Sequence, residues 1–315
     1  MMVNIQKAAM IGCGAVGATS AFSLVQSGLF SELVLIDANQ EKAEGEAMDL
    51  NHGLPFARPM KVYAGTYDDL ADCFLIIITA GAAQKPDETR IDLVNKNVAI
   101  FKSIIPEIVK RNTEGILLVV SNPVDILTYV TLKLSGFPAN RVIGSGTVLD
   151  TARLKYLLGE HLHVDSRSIH AFIIGEHGDS ELAVWSSANV SGVDLNHFCE
   201  LRGHYNHMEA MERIYTDVRD SAYEIIEKKG ATYYGIAMAV RRICESIVRD
   251  EHSILPVSSL ICGHYGLGDV CMGVPTVVGR NGAETVLDIP LSGLEQRKLM
   301  ASAEALRKVL DGIEL

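Results

Sequence analysis

No apolar run in the 315 residues reaches the roughly 20 residues that a helix needs to cross a bilayer. Hydropathy therefore excludes a spanning helix. The N-terminal stretch Met1-Met2-Val3-Asn4-Ile5-Gln6-Lys7 has no secretory pattern and runs straight into an expected strand. There is no Cys-x-x-Cys pair among the six cysteines at 13, 73, 199, 244, 262 and 271. Scattered in a chain of this length, they read as reduced core thiols in the cytoplasm rather than a disulfide or zinc framework. Basic residues are in deficit, 28 against 39 acidic ones, for a net charge of −11. That balance argues against a nucleic-acid partner, which wants a basic face. An anionic substrate stays possible, because a few buried arginines bind one locally. There is no low-complexity linker and no internal repeat. The pairs His161-Leu162-His163 and His204-x-x-His207 have metal-like spacing but read as exposed helix-end and loop residues, so no metal is expected.

The first half alternates short β-rich apolar runs with longer helical ones. Residues 7–11, 33–36, 74–79 and 116–120 read as strands buried on both faces. Stretches 16–27, 40–51 and 93–110 read as amphipathic helices. Alternation of this kind implies a parallel sheet with right-handed crossovers. The second half is less regular. Strands are expected at 170–174, 182–185, 253–261 and 274–278, and a helix at 147–158. Tyr233, Ile236, Ala237, Val240, Ile243, Cys244 and Ile247 line one face of another. Ser292 and Glu295 have capping-box spacing before a terminal helix whose apolar face carries Leu299, Ala303, Leu306 and Leu310.

Gly12-Cys13-Gly14-Ala15-Val16-Gly17 closes the first strand and opens the first helix. In that context the first glycine makes a tight turn, the second admits a pyrophosphate, and the third lets helix and strand pack. The helix N-terminus then offers its unpaired N–H groups to phosphate. Asp37 ends the second strand, 20 residues after Gly17. A carboxylate there suits the ribose hydroxyls of NAD and repels the extra phosphate of NADP. No arginine follows within Ala38-Asn39-Gln40-Glu41-Lys42. The alternative is a plain glycine turn with an exposed aspartate. The expected fold is thus α/β: a Rossmann-type doubly wound parallel sheet at 1–144, then a mixed α+β substrate domain at 145–315. Thr79-Ala80-Gly81-Ala82 would let a nucleotide approach the backbone. Asn122 in Ser121-Asn122-Pro123 either reaches nicotinamide or substrate, or caps the helix that follows.

Oxidising a secondary alcohol with NAD removes a hydride from carbon and a proton from oxygen. Histidine suits the proton, because its ordinary pKa lies near neutrality. His177, within Gly175-Glu176-His177-Gly178, is the candidate; a satisfied core histidine is the bland alternative. Asp150 and Arg153 stand three apart, on one helical face. The carboxylate can orient the imidazole, and the guanidinium fork can grip a substrate carboxylate. A surface ion pair is the competing reading. The polar loop 81–90 can close over substrate, with Arg90 polarising its oxygen.

These residues resemble the lactate/malate dehydrogenase superfamily, and within it the bacterial L-lactate dehydrogenases. The carrying stretches are Gly12–Gly17, Asp37, 80–86, 88–90, 121–125, 144–153, 174–179 and 229–234. They cover nearly the whole chain in the family's order. The resemblance implies His177 as acid/base, Asp150 as its partner, Arg153 as the carboxylate clamp and Arg90 as the polarising residue on a lid. It implies Gln84, Asn122 and Thr232 in the substrate pocket beside Arg90 and Arg153. It also implies cofactor contacts at Gly12, Gly14, Val16, Gly17, Asp37, Lys42, Tyr67, Gly81, Ala82, Ser103, Ser121, Asn122 and Ser145.

Malate enzymes usually carry arginine where this chain has Gln84. Oxaloacetate would bring a second carboxylate under the lid, and an uncompensated buried charge costs several kcal/mol. Pyruvate's methyl group brings none. Asp87 stands where the family usually has glycine, which should stiffen the lid and repel dicarboxylates; Lys85 partly offsets it. Many bacterial relatives bind fructose 1,6-bisphosphate between subunits through an arginine and a histidine. Here His170 matches the histidine and Lys155 replaces the arginine, as a point charge rather than a fork. The alternative is a solvated lysine and a strand-end histidine. The family usually forms tetramers, so a homotetramer in the cytoplasm is expected. The function implied is NAD-dependent interconversion of pyruvate and L-lactate, with fructose 1,6-bisphosphate as activator. Malate dehydrogenase is the nearest rival, and a non-catalytic NAD-binding protein the rival of another class.

Overall fold

The computed structural model describes residues 3–82, 89–203 and 207–314, and of Arg90 the backbone alone. Strand β1 (Asn4–Ile11) leads into α1 (Ala15–Ser27), β2 (Glu32–Ile36), α2 (Gln40–Gly53), β3 (Lys61–Ala64) and β4 (Cys73–Ile78). Then come α3 (Arg90–Val109), β5 (Ile116–Val119), α4 (Val124–Ser135) and β6 (Val142–Gly144). These six strands pair in parallel, in the order β6-β5-β4-β1-β2-β3. The chain reverses direction across the sheet between β1 and β4, and a ligand crevice opens there at the carboxyl ends of the strands. Both faces of the sheet are covered, so β4 (CFLIII) is buried at every position.

Past β6 lie α5 (Val148–Leu162), β7 (Ile169–His170), β8 (Ile173–Ile174), β9 (Leu182–Ala183), β10 (Asn189–Val190) and β11 (Val193–Asp194). Helices α6 (Leu195–Leu201), α7 (His207–Lys229) and α8 (Tyr234–Val248) follow. Strands β12 (Ser253–Leu255), β13 (Ser258–Ile261), β14 (Val270–Gly273), β15 (Thr276–Gly279) and β16 (Gly282–Val286) precede α9 (Gly293–Leu310). Strands β13 and β14 add antiparallel to the edge at β6, so one eight-stranded sheet runs into the second half of the chain. Helix α8 packs on α1 and contributes Val240, Ile243, Cys244 and Ile247 to the core on one face. On the other face α3, α4 and α9 cover Ile76, Ile78, Leu117 and Val119. A third core lies between α5 and α7.

Several sequence expectations change. The strand expected over 253–261 is two, in different sheets, broken at Pro256; the one over 274–278 starts after Pro275. Proline has no N–H for a ladder, so the chain switches sheets there. The run 170–174 is likewise split into β7 and β8, and 182–185 shrinks to two residues. Arg90 does not belong to the loop but begins α3, which Thr89 and Asp92 cap reciprocally. All six cysteines are free, yet Cys262 is exposed and is no core thiol. Among the described residues no helix is long and apolar enough to cross a membrane.

Candidate active site

The glycine turn works by contact. Gly12 has φ +101°, and a Cβ there would stand 2.5 Å from the Ala80 backbone nitrogen. Gly17 would drive a Cβ to 1.9 Å from the Gly12 carbonyl oxygen, so only glycine lets α1 sit this close to β1. Gly14 differs: nothing lies within 4 Å of its Cβ position. It is the N-cap of α1 and provides no capping side chain. This uncapped start of α1 borders a cleft of about 630 Å³, which Gly14 lines. Asp37 follows β2, held by the Cys13 N–H (2.6 Å) and the Asn39 N–H (2.9 Å).

Gly12, Gly14, Asp37, Lys42, Tyr67, Gly81, Ala82 and Ser103 line this cleft, together with Thr79, Ala80, Ile100 and Ile104. An open helix terminus near a pre-oriented carboxylate, with apolar walls, fits a dinucleotide: pyrophosphate at α1, ribose at Asp37. Val16, Gly17, Ser121, Asn122 and Ser145 are not part of the wall. Gly17 packs as described. Ser145 is buried, with its N–H on the Val119 carbonyl. Ser121 donates through Oγ to the Ala80 carbonyl (2.6 Å). Asn122 is exposed and is no helix cap, for Pro123 holds that place.

Asn97, on α3 and 1% exposed, joins these loops. Its Oδ1 accepts from the Ala82 N–H (2.8 Å), and its Nδ2 donates to the Asn122 carbonyl (2.7 Å). Asn97→Ala would strip both partners at once. Each group left unpaired costs about 1–3 kcal/mol, toward the low end where water reaches it. A lower denaturant midpoint and weaker NADH binding are expected; an unchanged midpoint would refute this role.

The second cluster forms where α5 meets the loop after β8. His177 Nδ1 lies 2.6 Å from Asp150 Oδ2, and Arg153 Nη1 donates to Asp150 Oδ1 at 2.7 Å. Asp150 is 2% exposed. The Nδ1 contact orients the ring: Nδ1–H donates to the carboxylate, which leaves Nε2 as the other nitrogen able to exchange a proton. Arg153 spends one nitrogen on Asp150; among the described residues the rest of its fork has no protein partner. The loop is anchored on three sides. Gly175 exchanges backbone hydrogen bonds with Gly273 (2.8 and 2.9 Å). The Glu176 N–H donates to Ser302 Oγ (2.9 Å), and the His177 N–H to Asp125 Oδ2 (2.7 Å). Ser258 Oγ donates to the other Asp125 oxygen at 2.6 Å.

Burial pushes Asp150 up, but the charge of His177 and the hydrogen bonds from His177 and Arg153 outweigh it and hold the carboxyl low. Burial would lower His177; the Asp150 carboxylate, with Asp125 and Glu181 behind it, raises the imidazole to about 9. Asp125 is pushed up to about 6 by burial. The arrangement is a proton carrier oriented by a buried carboxylate beside an available guanidinium.

Residues 6–144 match the lactate/malate dehydrogenase NAD-binding domain, and residues 147–314 the lactate/malate dehydrogenase alpha/beta C-terminal domain. The chain belongs to the lactate/malate dehydrogenase family. It is 56% identical over 311 residues to an L-lactate dehydrogenase of Acetivibrio thermocellus, covering 99% of this chain and 98% of that relative. L-lactate dehydrogenase 1 of Clostridium acetobutylicum is 56% identical over 307 residues, 98% of each. A crystal structure of a minor L-lactate dehydrogenase from Enterococcus mundtii, in a ligands-bound form, has a TM-score of 0.94. It is 43% identical, with 98% of this chain and 99% of that one covered. Family membership makes NAD the cofactor.

Against that background the other expected site residues can be placed. Thr232 is half-buried just ahead of α8. Gln84, Lys85 and Asp87 lie outside the described residues, as does the Arg90 side chain. Lys155 is half-buried and His170 exposed; both line a cavity of about 310 Å³ with Arg242. Burial holds the Lys155 ammonium below its ordinary pKa. The histidine pairs with metal-like spacing join no ligand cluster among the described residues, and His204 is outside them. Sequence reasoning missed Asn97, Asp125, Ser258 and Ser302, the residues that position the loops.

Proposed function

We propose that the chain interconverts pyruvate and L-lactate, with His177 as acid/base. The observation that carries this reading is the Arg153–Asp150–His177 cluster, at 2.7 and 2.6 Å. Bound NAD supplies the two-electron chemistry, accepting a hydride from the alcohol carbon or returning it. His177 Nε2 takes the alcohol proton in oxidation and gives it back in reduction. Asp150 keeps the ring in one tautomer and stabilises its charged form. Arg153 holds the substrate carboxylate by its fork. Arg90 polarises the carbonyl, and Thr232 and Asn122 complete the pocket. Asp37 and the open end of α1 hold the cofactor, with Val16, Lys42, Tyr67, Gly81, Ala82, Ser103, Ser121 and Ser145 around it.

Gln84 favours pyruvate over oxaloacetate, because no guanidinium stands there for a second carboxylate. The division into a cofactor-binding part to residue 144 and a substrate part from 145 belongs to the same reading. So do a cytoplasmic homotetramer and activation by fructose 1,6-bisphosphate at Lys155 and His170. A cavity lined by Lys155, His170 and Arg242 supports an anion site.

One steady-state experiment tests the assignment: NADH oxidation with pyruvate and with oxaloacetate, each with and without fructose 1,6-bisphosphate. A higher kcat/KM on pyruvate is expected, and a lower pyruvate KM with the bisphosphate. Preference for oxaloacetate would make this a malate enzyme. An unmoved KM would remove the effector.

A further inference from the structure

We propose that Glu181 is a positioning residue for the proton on His177, a further carboxyl whose charge sets the alkaline limit of the reaction; this rests on His177 being the acid/base. Glu181 precedes β9 and is 5% exposed. Its Oε1 has no hydrogen-bond partner among the described residues. One of its carboxyl oxygens, a ring nitrogen of His177 and a carboxylate oxygen of Asp150 all lie within 4.8 Å of one another. The loop has folded an acid against the imidazole, and among the described residues its Oε1 meets no donor.

The surrounding charges show what this does. Asp150 takes both nearby cations, His177 and Arg153. From α4, Asp125 is engaged by the His177 N–H and by Ser258. From α7, Arg219 is paired with Asp220, and the Tyr215 hydroxyl goes to the Glu181 carbonyl rather than its carboxyl. Burial and the neighbouring Asp150 charge therefore favour the protonated carboxyl, which is pushed up to about 8. At neutral pH Glu181 is uncharged. As pH rises through that value it becomes an anion beside His177, and an anion strengthens the hold of an imidazole on its proton. This happens just below about 9, where His177 begins to lose that proton. The carboxyl thus extends the pH range over which the imidazolium needed for pyruvate reduction persists.

Glu181→Gln keeps the shape and removes the charge. The readout is the position of the pH limbs, not their height. kcat/KM for pyruvate falls as His177 deprotonates, and kcat/KM for lactate rises through the same titration. In the variant both inflections should move to lower pH by on the order of 1 unit. A purely structural role would rescale the rates and leave the inflections in place, and that result overturns the proposal. If the variant does not fold, NMR titration of the His177 ring in the unaltered protein decides it. Two steps are expected because a neighbour titrates first, and a single step overturns it. His177→Asn separates the two readings. Turnover that survives it refutes the acid/base assignment itself; a dead His177→Asn with unmoved limbs in Glu181→Gln refutes this inference alone.

Discussion

His177→Asn should lower kcat/KM for pyruvate by about 10²–10⁴-fold, the range that a positioned general acid contributes. Asparagine is the appropriate replacement. Its amide can still donate toward Asp150, so the 2%-exposed carboxylate is not stripped of every donor on that side. What asparagine cannot do is carry a proton. NADH affinity should hardly change, because the cofactor cleft is walled by the turns after β1, β2 and β4 and by α3. Fluorescence titration with NADH beside single-turnover kinetics separates the two effects. Turnover within tenfold of the unaltered enzyme would refute the assignment. The unaltered enzyme carries a companion signature. With His177 raised to about 9, reduction, which needs the imidazolium, fades as pH rises through that value. Oxidation, which needs the neutral ring, gains over the same interval.

Much of this site was legible in the sequence, for an identifiable reason. The glycine turn, Asp37, and the Asp150–Arg153 spacing are local: strand, turn and helix geometry alone set their side chains in useful places. The supports were not legible. Asp125 meets His177 across 52 positions and Glu176 meets Ser302 across 126. Asn97 sits on the apolar face of α3 between Val94 and Phe101, where a lone buried amide hints at a partner without naming it. That hint, a polar residue on an otherwise apolar helical face, was the one available signal. Two of the strand misreadings, over 253–261 and 274–278, had a local remedy, since Pro256 and Pro275 cannot donate to a ladder. β3 escaped because Lys61-Val62-Tyr63-Ala64 is short and buries only Val62 deeply. Glu181 illustrates the limit. Nothing in its local sequence marks it, and its burial beside Asp150 and His177 appears only in the folded chain.

Arg153 is where a substitution should act on substrate rather than on the proton. Arg153→Lys keeps a positive charge but not the planar fork. A carboxylate bound by two parallel N–H bonds would be left with a single ammonium contact. Losing one charge-assisted hydrogen bond, about 1.5–3 kcal/mol, corresponds to a roughly 10- to 150-fold higher pyruvate KM. Arg153→Leu should go further, because the substrate carboxylate would then enter a site with no counter-charge beside Asp150. Breaking such a pair costs about 3–5 kcal/mol, and kcat/KM should fall by at least about 10²-fold. Arg153 also donates to Asp150 at 2.7 Å, so a general loss of structure must be told apart from lost clamping. The pH profile does that. Asp150 faces His177 at 2.6 Å and Arg153→Lys keeps a positive charge beside the pair, so in that variant the alkaline limb should stay in place while KM rises. A displaced limb with an unmoved KM would make Arg153 a support for the Asp150–His177 pair and not the group that holds the acid.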